Sequence, residues 1–99
     1  MLFEEAQARF PESPAITYHL ATVAQATGDC RRADALYGET LALRERHEDA
    51  RLGRAICRTY LSNVEGAIAD ATVLVDAAAH NRADALYWRA WNRRTQKQL

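Results

Sequence analysis

The sequence has few of the residues that cross-link, bend or interrupt a small protein: two cysteines, two prolines and four glycines among 99 residues. Cys30 and Cys57 lack the short spacing of a zinc or redox motif, so we expect each to be a small packing residue. The histidines, His19, His47 and His80, also lack metal-ligand spacing. The sequence therefore predicts no metal site and no cofactor.

A net charge, a long apolar run and a targeting signal are also missing. The 13 basic and 13 acidic residues balance, so bulk charge favours neither nucleic acid nor a membrane surface as partner. No basic segment followed by an apolar run opens the chain, so a cytoplasmic location is the default expectation. Lys97 is the only lysine, and the abundant arginine and alanine are typical of a GC-rich bacterial genome.

No pattern in the sequence predicts catalysis. A glycine-rich loop after a strand is missing, and the sequence places no base beside a serine or cysteine. We therefore expect a protein that binds a partner and is not an enzyme.

The most informative segment is GDCRRADALYGETLAL, which begins at Gly28 and ends at Leu43. Gly28 adopts a positive φ without steric cost, and Asp29 is a suitable cap for the helix that follows. A step of about 34 residues takes Ala33 to Ala67, which indicates a helical repeat. The expected helix has one buried stripe, formed by Ala33, Leu36, Tyr37, Thr40 and Leu41.

The order of a Gly-Asp turn, a small residue, an aromatic ring and an apolar pair resembles the second helix of the tetratricopeptide repeat, whose period is about 34 residues. The resemblance implies an all-α, tetratricopeptide-like solenoid, in which antiparallel helix hairpins stack into a right-handed superhelix. It covers essentially the whole chain and rests on Phe3, Ala6, Pro11, Leu20, Ala21, Gly28, Ala33, Tyr37, Leu41, Ala67, Ala71 and Val75.

The repeat divides a single domain, residues 1–99, into four parts with about six helices in all. Ser13 is the expected cap of the second helix, and Pro14 suits its first turn. The parts are the second helix of a partial repeat (1–12), two full repeats (13–46 and 47–80) and the first helix of another partial repeat (81–99). The sequence predicts helices over 2–10, 15–27, 29–46, 49–61, 64–79 and 84–97.

The register of the helix over 49–61 has two interpretations. A strict step of one repeat length places three arginines, Arg51, Arg54 and Arg58, at inward positions, where arginines rarely pack. A shift by a single position frees the arginines and gives the left-handed turn to Asn63, and we prefer this shifted register. It buries Leu52, Ala55, Ile56, Thr59 and Tyr60.

The family resemblance implies that the first helix of each repeat lines a groove that binds a peptide or a partner protein. Aromatic and arginine side chains are the usual anchors of such interfaces. Arg54 has no carboxylate on its own helix face, which predicts a ligand with an acidic residue. The predicted partner-binding residues are Tyr18, His19, Thr22, Gln25, Arg54, Tyr60, Tyr87, Trp88 and Trp91.

The tryptophans of the last predicted helix are compatible with a second function, which is self-association. Trp88 and Trp91 need a cover, which a further helix, a second copy or a ligand can supply. The predicted function is a protein interaction module or adaptor; the alternative is homo-oligomerisation through the terminal half-repeats, as a scaffold domain of a larger bacterial protein. The basic tail is too short to predict nucleic-acid binding, and we interpret it as a favourable helix C-terminus. Its members are Arg89, Arg93, Arg94 and Lys97.

Overall fold

The computed structural model describes residues 13–98, which form five α-helices and no strand. Each helix packs against the next along the chain, and the third helix also contacts the first and the fifth. The prediction of an all-α fold is confirmed over this range, whereas the helix predicted over 2–10 lies outside the described residues. The helices are α1 (Pro14–Ala26), α2 (Cys30–Leu43), α3 (Glu48–Tyr60), α4 (Val64–Asp76) and α5 (Arg82–Gln98).

Side chains cap the first four helices, because the N–H groups of a first helical turn have no partner within the helix. Ser13, Asp29, His47 and Asn63 each accept a hydrogen bond from the backbone N–H three residues later. Ser13 and His47 lie one repeat length apart, as do Asp29 and Asn63. The two hairpins α1–α2 and α3–α4 therefore begin their helices at equivalent positions.

Helices α1, α3 and α4 end in the same kind of turn, whose central residue has a left-handed backbone. Gly28 has φ +85°, as the sequence predicts, and Ser62 and Ala78 have φ 63° and 51°. In each turn this residue and the next donate to carbonyls three and five residues earlier, which closes the helix end. The prediction that Asn63 supplies the second turn is wrong, because Ser62 takes that conformation and Asn63 caps α4.

Small side chains occupy the centre of both hairpins. Ala21 and Ala55 are fully buried, as are Ala33 and Ala67, and the members of each pair stand at the same position of successive repeats. Alanine at these positions lets neighbouring helices approach closely, as the repeat predicts. Val23 of α1, by contrast, is exposed.

Candidate functional site

The three arginines of α3 point between helices and not into solvent. Arg51, Arg54 and Arg58 converge on Asp70 of α4, whose side chain is only 3% exposed. Arg54 donates from Nε and Nη2 to both carboxylate oxygens, at 2.9 and 2.7 Å. Arg51 and Arg58 each approach the same carboxylate through Nη1, at 3.4 and 3.2 Å. The strict repeat register therefore holds, and the preferred shifted register is wrong.

The burial pattern of α3 agrees with that correction. Of the five residues that the shifted register buries, only Ala55 is fully buried, whereas Tyr60 is 70% exposed. Besides Ala55, the buried positions of α3 are Ala50, Gly53 and Cys57, none of which the shifted register buries.

Asp70 is the residue that the sequence interpretation missed. A step back by one repeat length relates Arg54 to Leu20 and Asp70 to Leu36. Leu20 and Leu36 belong to one buried apolar cluster in the first hairpin. The second hairpin thus has an ion pair where the first has an apolar pair. The sequence feature that could have revealed this ion pair is an aspartate at an inward position of α4.

Arg54 is consequently unsuited to the role predicted for it. Its hydrogen bonds with Asp70 raise the pKa of the guanidinium, although burial alone would lower this pKa. Arg58 Nε also donates to Asp34 Oδ1 at 3.3 Å, so the cluster contains a second carboxylate. The argument that a free Arg54 requires an acidic ligand therefore fails.

Four aromatic rings lie together where α3 meets α5. The ring centroids of Tyr60 and Trp88 are 6.2 Å apart, and Tyr87 meets Trp88 edge-on at 5.3 Å. Tyr87 and Trp91 line a pocket of about 160 Å³ together with Ala90 and Arg94. Tyr60, Tyr87 and Trp91 are 70, 59 and 49% exposed, whereas Trp88 is half-buried. We call these four residues, Tyr60, Tyr87, Trp88 and Trp91, the aromatic face.

Among the predicted partner-binding residues of α1, Gln25 lines a pocket of about 640 Å³ together with Tyr60 of the aromatic face, although α1 and α5 do not contact each other. Tyr18 is half-buried against His47, with ring centroids 4.7 Å apart, and burial raises the pKa of its hydroxyl. Gln25 accepts a hydrogen bond from the Tyr37 hydroxyl at 2.5 Å. Tyr18 and Gln25 therefore already have internal partners. Thr22 also donates from Oγ1 to the His19 carbonyl at 2.8 Å, and the His19 ring lies 5.7 Å from that of Tyr18.

The two cysteines come close together, although 27 positions separate them in the sequence. Cys57 is fully buried, and burial raises the pKa of its thiol, as does a hydrogen bond with Cys30. A thiol with a raised pKa stays protonated near neutral pH and is a poor nucleophile. This arrangement favours packing over reactivity.

His80 joins the turn before α5 to the start of α3. Its Nδ1 lies 2.5 Å from Glu48 Oε1 and its Nε2 lies 3.1 Å from Asp49 Oδ1. These contacts raise the pKa of the imidazole, with the Glu48 hydrogen bond as the largest cause. The neighbouring Asn81 donates from Nδ2 to the Glu48 carbonyl at 3.1 Å. The cluster therefore connects the start of α5 to the start of α3.

Within residues 13–98 the structure offers few other chemical sites. No group of three or more histidine, cysteine, aspartate or glutamate side chains is placed to hold a metal ion in this part of the chain. None of the five described helices has the length and apolar character needed to cross a membrane. The aromatic face is accordingly the candidate functional site. Comparison with known proteins finds no matching family model, and no curated protein or solved structure matches the chain.

Proposed function

We propose that the chain is a protein interaction module that binds a peptide segment of a partner protein on the aromatic face. The observation that carries this proposal is the exposure of Tyr60, Tyr87 and Trp91 around the half-buried Trp88. Large exposed rings that lie together mark interaction surfaces, and aromatic side chains dominate the binding energy of protein interfaces. The rings are thus suited to bind a ligand.

The tetratricopeptide resemblance is part of the same proposal. Caps, left-handed turns and buried alanines occupy equivalent positions in the two complete hairpins. This recurrence supports a repeat whose first helices, α1, α3 and α5, line one continuous surface of a right-handed superhelix. The aromatic face lies on two of these three helices.

The pocket that Tyr87 and Trp91 line on the aromatic face is small for a cofactor site. The pocket beside Tyr87 and Trp91 measures about 160 Å³, whereas small-molecule sites usually have roughly 300–1,000 Å³. It therefore suits one apolar or aromatic side chain of a peptide. The hydroxyl groups of Tyr60 and Tyr87 are available as hydrogen-bond partners for the peptide backbone.

Peptides selected from a random display library on the full chain provide the test, with affinities measured by calorimetry. We expect Tyr60→Ser and Tyr87→Ser each to weaken binding by about 5- to 30-fold, the range of an interface anchor. Both side chains are mostly exposed, so the melting temperature should change little. Val73→Ser, at an exposed valine of α4, is the control and should bind normally. Wild-type affinity in both tyrosine variants would reject the proposal.

The exposed rings also favour the alternative function, homo-oligomerisation, because a second copy can cover them. Light scattering on the purified chain distinguishes the two functions. A dimer that Tyr87→Ser dissociates would support self-association, whereas a monomer at high concentration would contradict it.

A further inference from the structure

The last helix carries a second surface, which is basic and not aromatic. After Asp84 the sequence has four cationic residues and no acidic residue. None of these four cations pairs with a carboxylate of residues 13–98. Arg89 instead donates from Nη1 to a hydroxyl, Thr72 Oγ1, at 3.5 Å. The cations are Arg89, Arg93, Arg94 and Lys97.

The helix dipole does not account for this charge. A cation stabilises a helix C-terminus only within about the last turn. Lys97 stands in that turn, but Arg89 and Arg93 lie farther back along a helix that ends at Gln98. Elsewhere in the structure, arginines that gather on one helix face have carboxylate partners, as on α3. The cations of α5 lack this compensation.

The cations surround an open cleft of about 400 Å³, whose apolar floor is Leu86 and Ala90. Its lining residues follow one another at alternating steps of three and one positions from Leu86 to Lys97, so the cleft follows one side of the helix. At 1.5 Å per residue it is about 16 Å long. The small side chain of Ala90 leaves room for another helix to approach closely.

We propose that this cleft, between Leu86 and Lys97, binds an acidic amphipathic helix of another protein. Arg89, Arg93 and Lys97 stand four residues apart, or about 6 Å along the axis. Carboxylates four residues apart on a partner helix have the same spacing and complement these cations in charge. Apolar side chains between the carboxylates then cover Leu86 and Ala90.

A second copy of the chain is a poorer occupant. No helix within residues 13–98 carries two exposed carboxylates four residues apart. Nucleic acid is also disfavoured, because the chain has no net charge and the cleft floor has no ring on which a base can stack.

The cleft and the aromatic face adjoin along α5, where Ala90 and Arg94 border both pockets, but the four rings are not among the lining residues of the cleft. This inference therefore does not rest on the proposed peptide site. Variants of Tyr60 test the aromatic face, and variants of Arg93 and Lys97 test the cleft.

The probe is a synthetic helical peptide of about five turns, with glutamates at every fourth position of one face and leucines beside them. A matched peptide has glutamine at each glutamate position. Calorimetry on the full chain at low salt should show that the glutamine peptide binds at least about tenfold more weakly. Raising the salt concentration about tenfold should weaken the acidic peptide several-fold, because the paired charges are exposed. Equal affinity for the two peptides would overturn the proposal.

The matched variants are Arg93→Glu/Lys97→Glu in the cleft and Arg31→Glu/Arg44→Glu on exposed positions of α2 and its end. Both make the same change in net charge. We expect the first pair to lower affinity for the acidic peptide at least about tenfold and the second to have little effect. Equal losses of affinity in the two double variants would show that binding depends only on net charge, and would overturn the proposal.

Two further results would overturn it. The first is a single-stranded RNA of equal charge that binds as tightly as the acidic peptide. The second is a loss of peptide binding in Tyr60→Ser, which would place the peptide on the aromatic face. Wild-type binding by Tyr60→Ser supports the cleft.

Discussion

The ring of Tyr37 lies directly against Gly53, in the middle of helix α3. A Cβ atom at position 53 would stand 2.7 Å from the Tyr37 hydroxyl oxygen and closer still to Cζ, so it would overlap the ring. Tyr37 is 2% exposed, and its hydroxyl donates to Gln25 of α1. The Tyr37 side chain of α2 thereby contacts both α1 and α3, and its ring fits only because position 53 is a glycine.

Gly53→Ala is the first test of this packing. Alanine favours a helix over glycine by about 1 kcal/mol, yet we expect a loss of about 1–3 kcal/mol because the methyl group overlaps the ring. Gly38→Ala in α2 is the control, since its nearest atom would be Arg54 Nη1 at 3.8 Å. The control should stabilise by up to about 1 kcal/mol. Urea denaturation measures both variants, and a stabilising Gly53→Ala would contradict the packing.

In the three left-handed turns, replacing glycine and introducing glycine should change the stability in opposite directions. Gly28→Ala should destabilise by about 1–2 kcal/mol, because a Cβ atom is strained at that φ although open space surrounds it. Ala78→Gly and Ser62→Gly should relieve the same strain and stabilise by up to about 1 kcal/mol. Thermal unfolding checks the signs. Destabilisation by Ala78→Gly would show that the turn is not strained.

The pairing of Asp70 with the arginines of α3 can be compared with the apolar pair Leu20 and Leu36 of the first hairpin. Asp70→Leu should cost about 3–5 kcal/mol, because it removes the shared carboxylate of three arginines. The double variant Arg54→Leu/Asp70→Leu copies the Leu20 and Leu36 pair, and we expect it to be more stable than Asp70→Leu alone. A double-mutant cycle in urea measures the coupling. Simple additivity of the two single losses would contradict a direct interaction.

His80 gives a pH-dependent prediction. The contacts with Glu48 and Asp49 raise its pKa above the ordinary value of 6.5. The stabilisation is therefore fully present below that value and is lost as pH rises through the raised pKa. We expect the wild type to keep its advantage over His80→Gln below about pH 6.5 and to lose it as the pH rises above that value, as followed by the melting temperature. A difference that does not change with pH would show that the contacts are not formed.

The comparison with His80→Gln is needed because His47 titrates in the other direction. Burial lowers the pKa of His47, and the nearby Arg44 adds to this effect. Its Nδ1 accepts the hydrogen bond from Ala50 N that caps α3, so protonation removes the cap. This contribution is present above the ordinary pKa and lost as pH falls. It is common to both proteins and cancels in the difference.

Local signals could be interpreted from the sequence alone. Ser13 and Asp29 cap their helices and Gly28 makes its turn, as predicted, because capping and left-handed turns depend on a few neighbouring residues. The overall helical pattern followed from periodicity in the same way. Asp70 could not be recognised so easily, because its role is to pair with arginines 12–19 positions earlier in the sequence. These arginines approach it only after α3 and α4 pack together.

A repeated hexapeptide shows the limit of local information. RADALY occurs at Arg32–Tyr37 and at Arg82–Tyr87 and is helical both times. Tyr37 is 2% exposed, whereas Tyr87 is 59% exposed. The tyrosine in α2 is enclosed by α1 and α3, while that in α5 belongs to the aromatic face. Exposure of the candidate site thus depends on tertiary neighbours.

The most direct measurement of the proposed function is an NMR titration of the full chain with a peptide selected by display. The chain has only two tryptophans, Trp88 and Trp91, so two indole N–H signals report on the aromatic face. We expect both signals to shift in a saturable manner, with much smaller shifts of the backbone amides of α2. Unchanged indole signals together with saturable shifts elsewhere would place the ligand on another surface and contradict the proposed function.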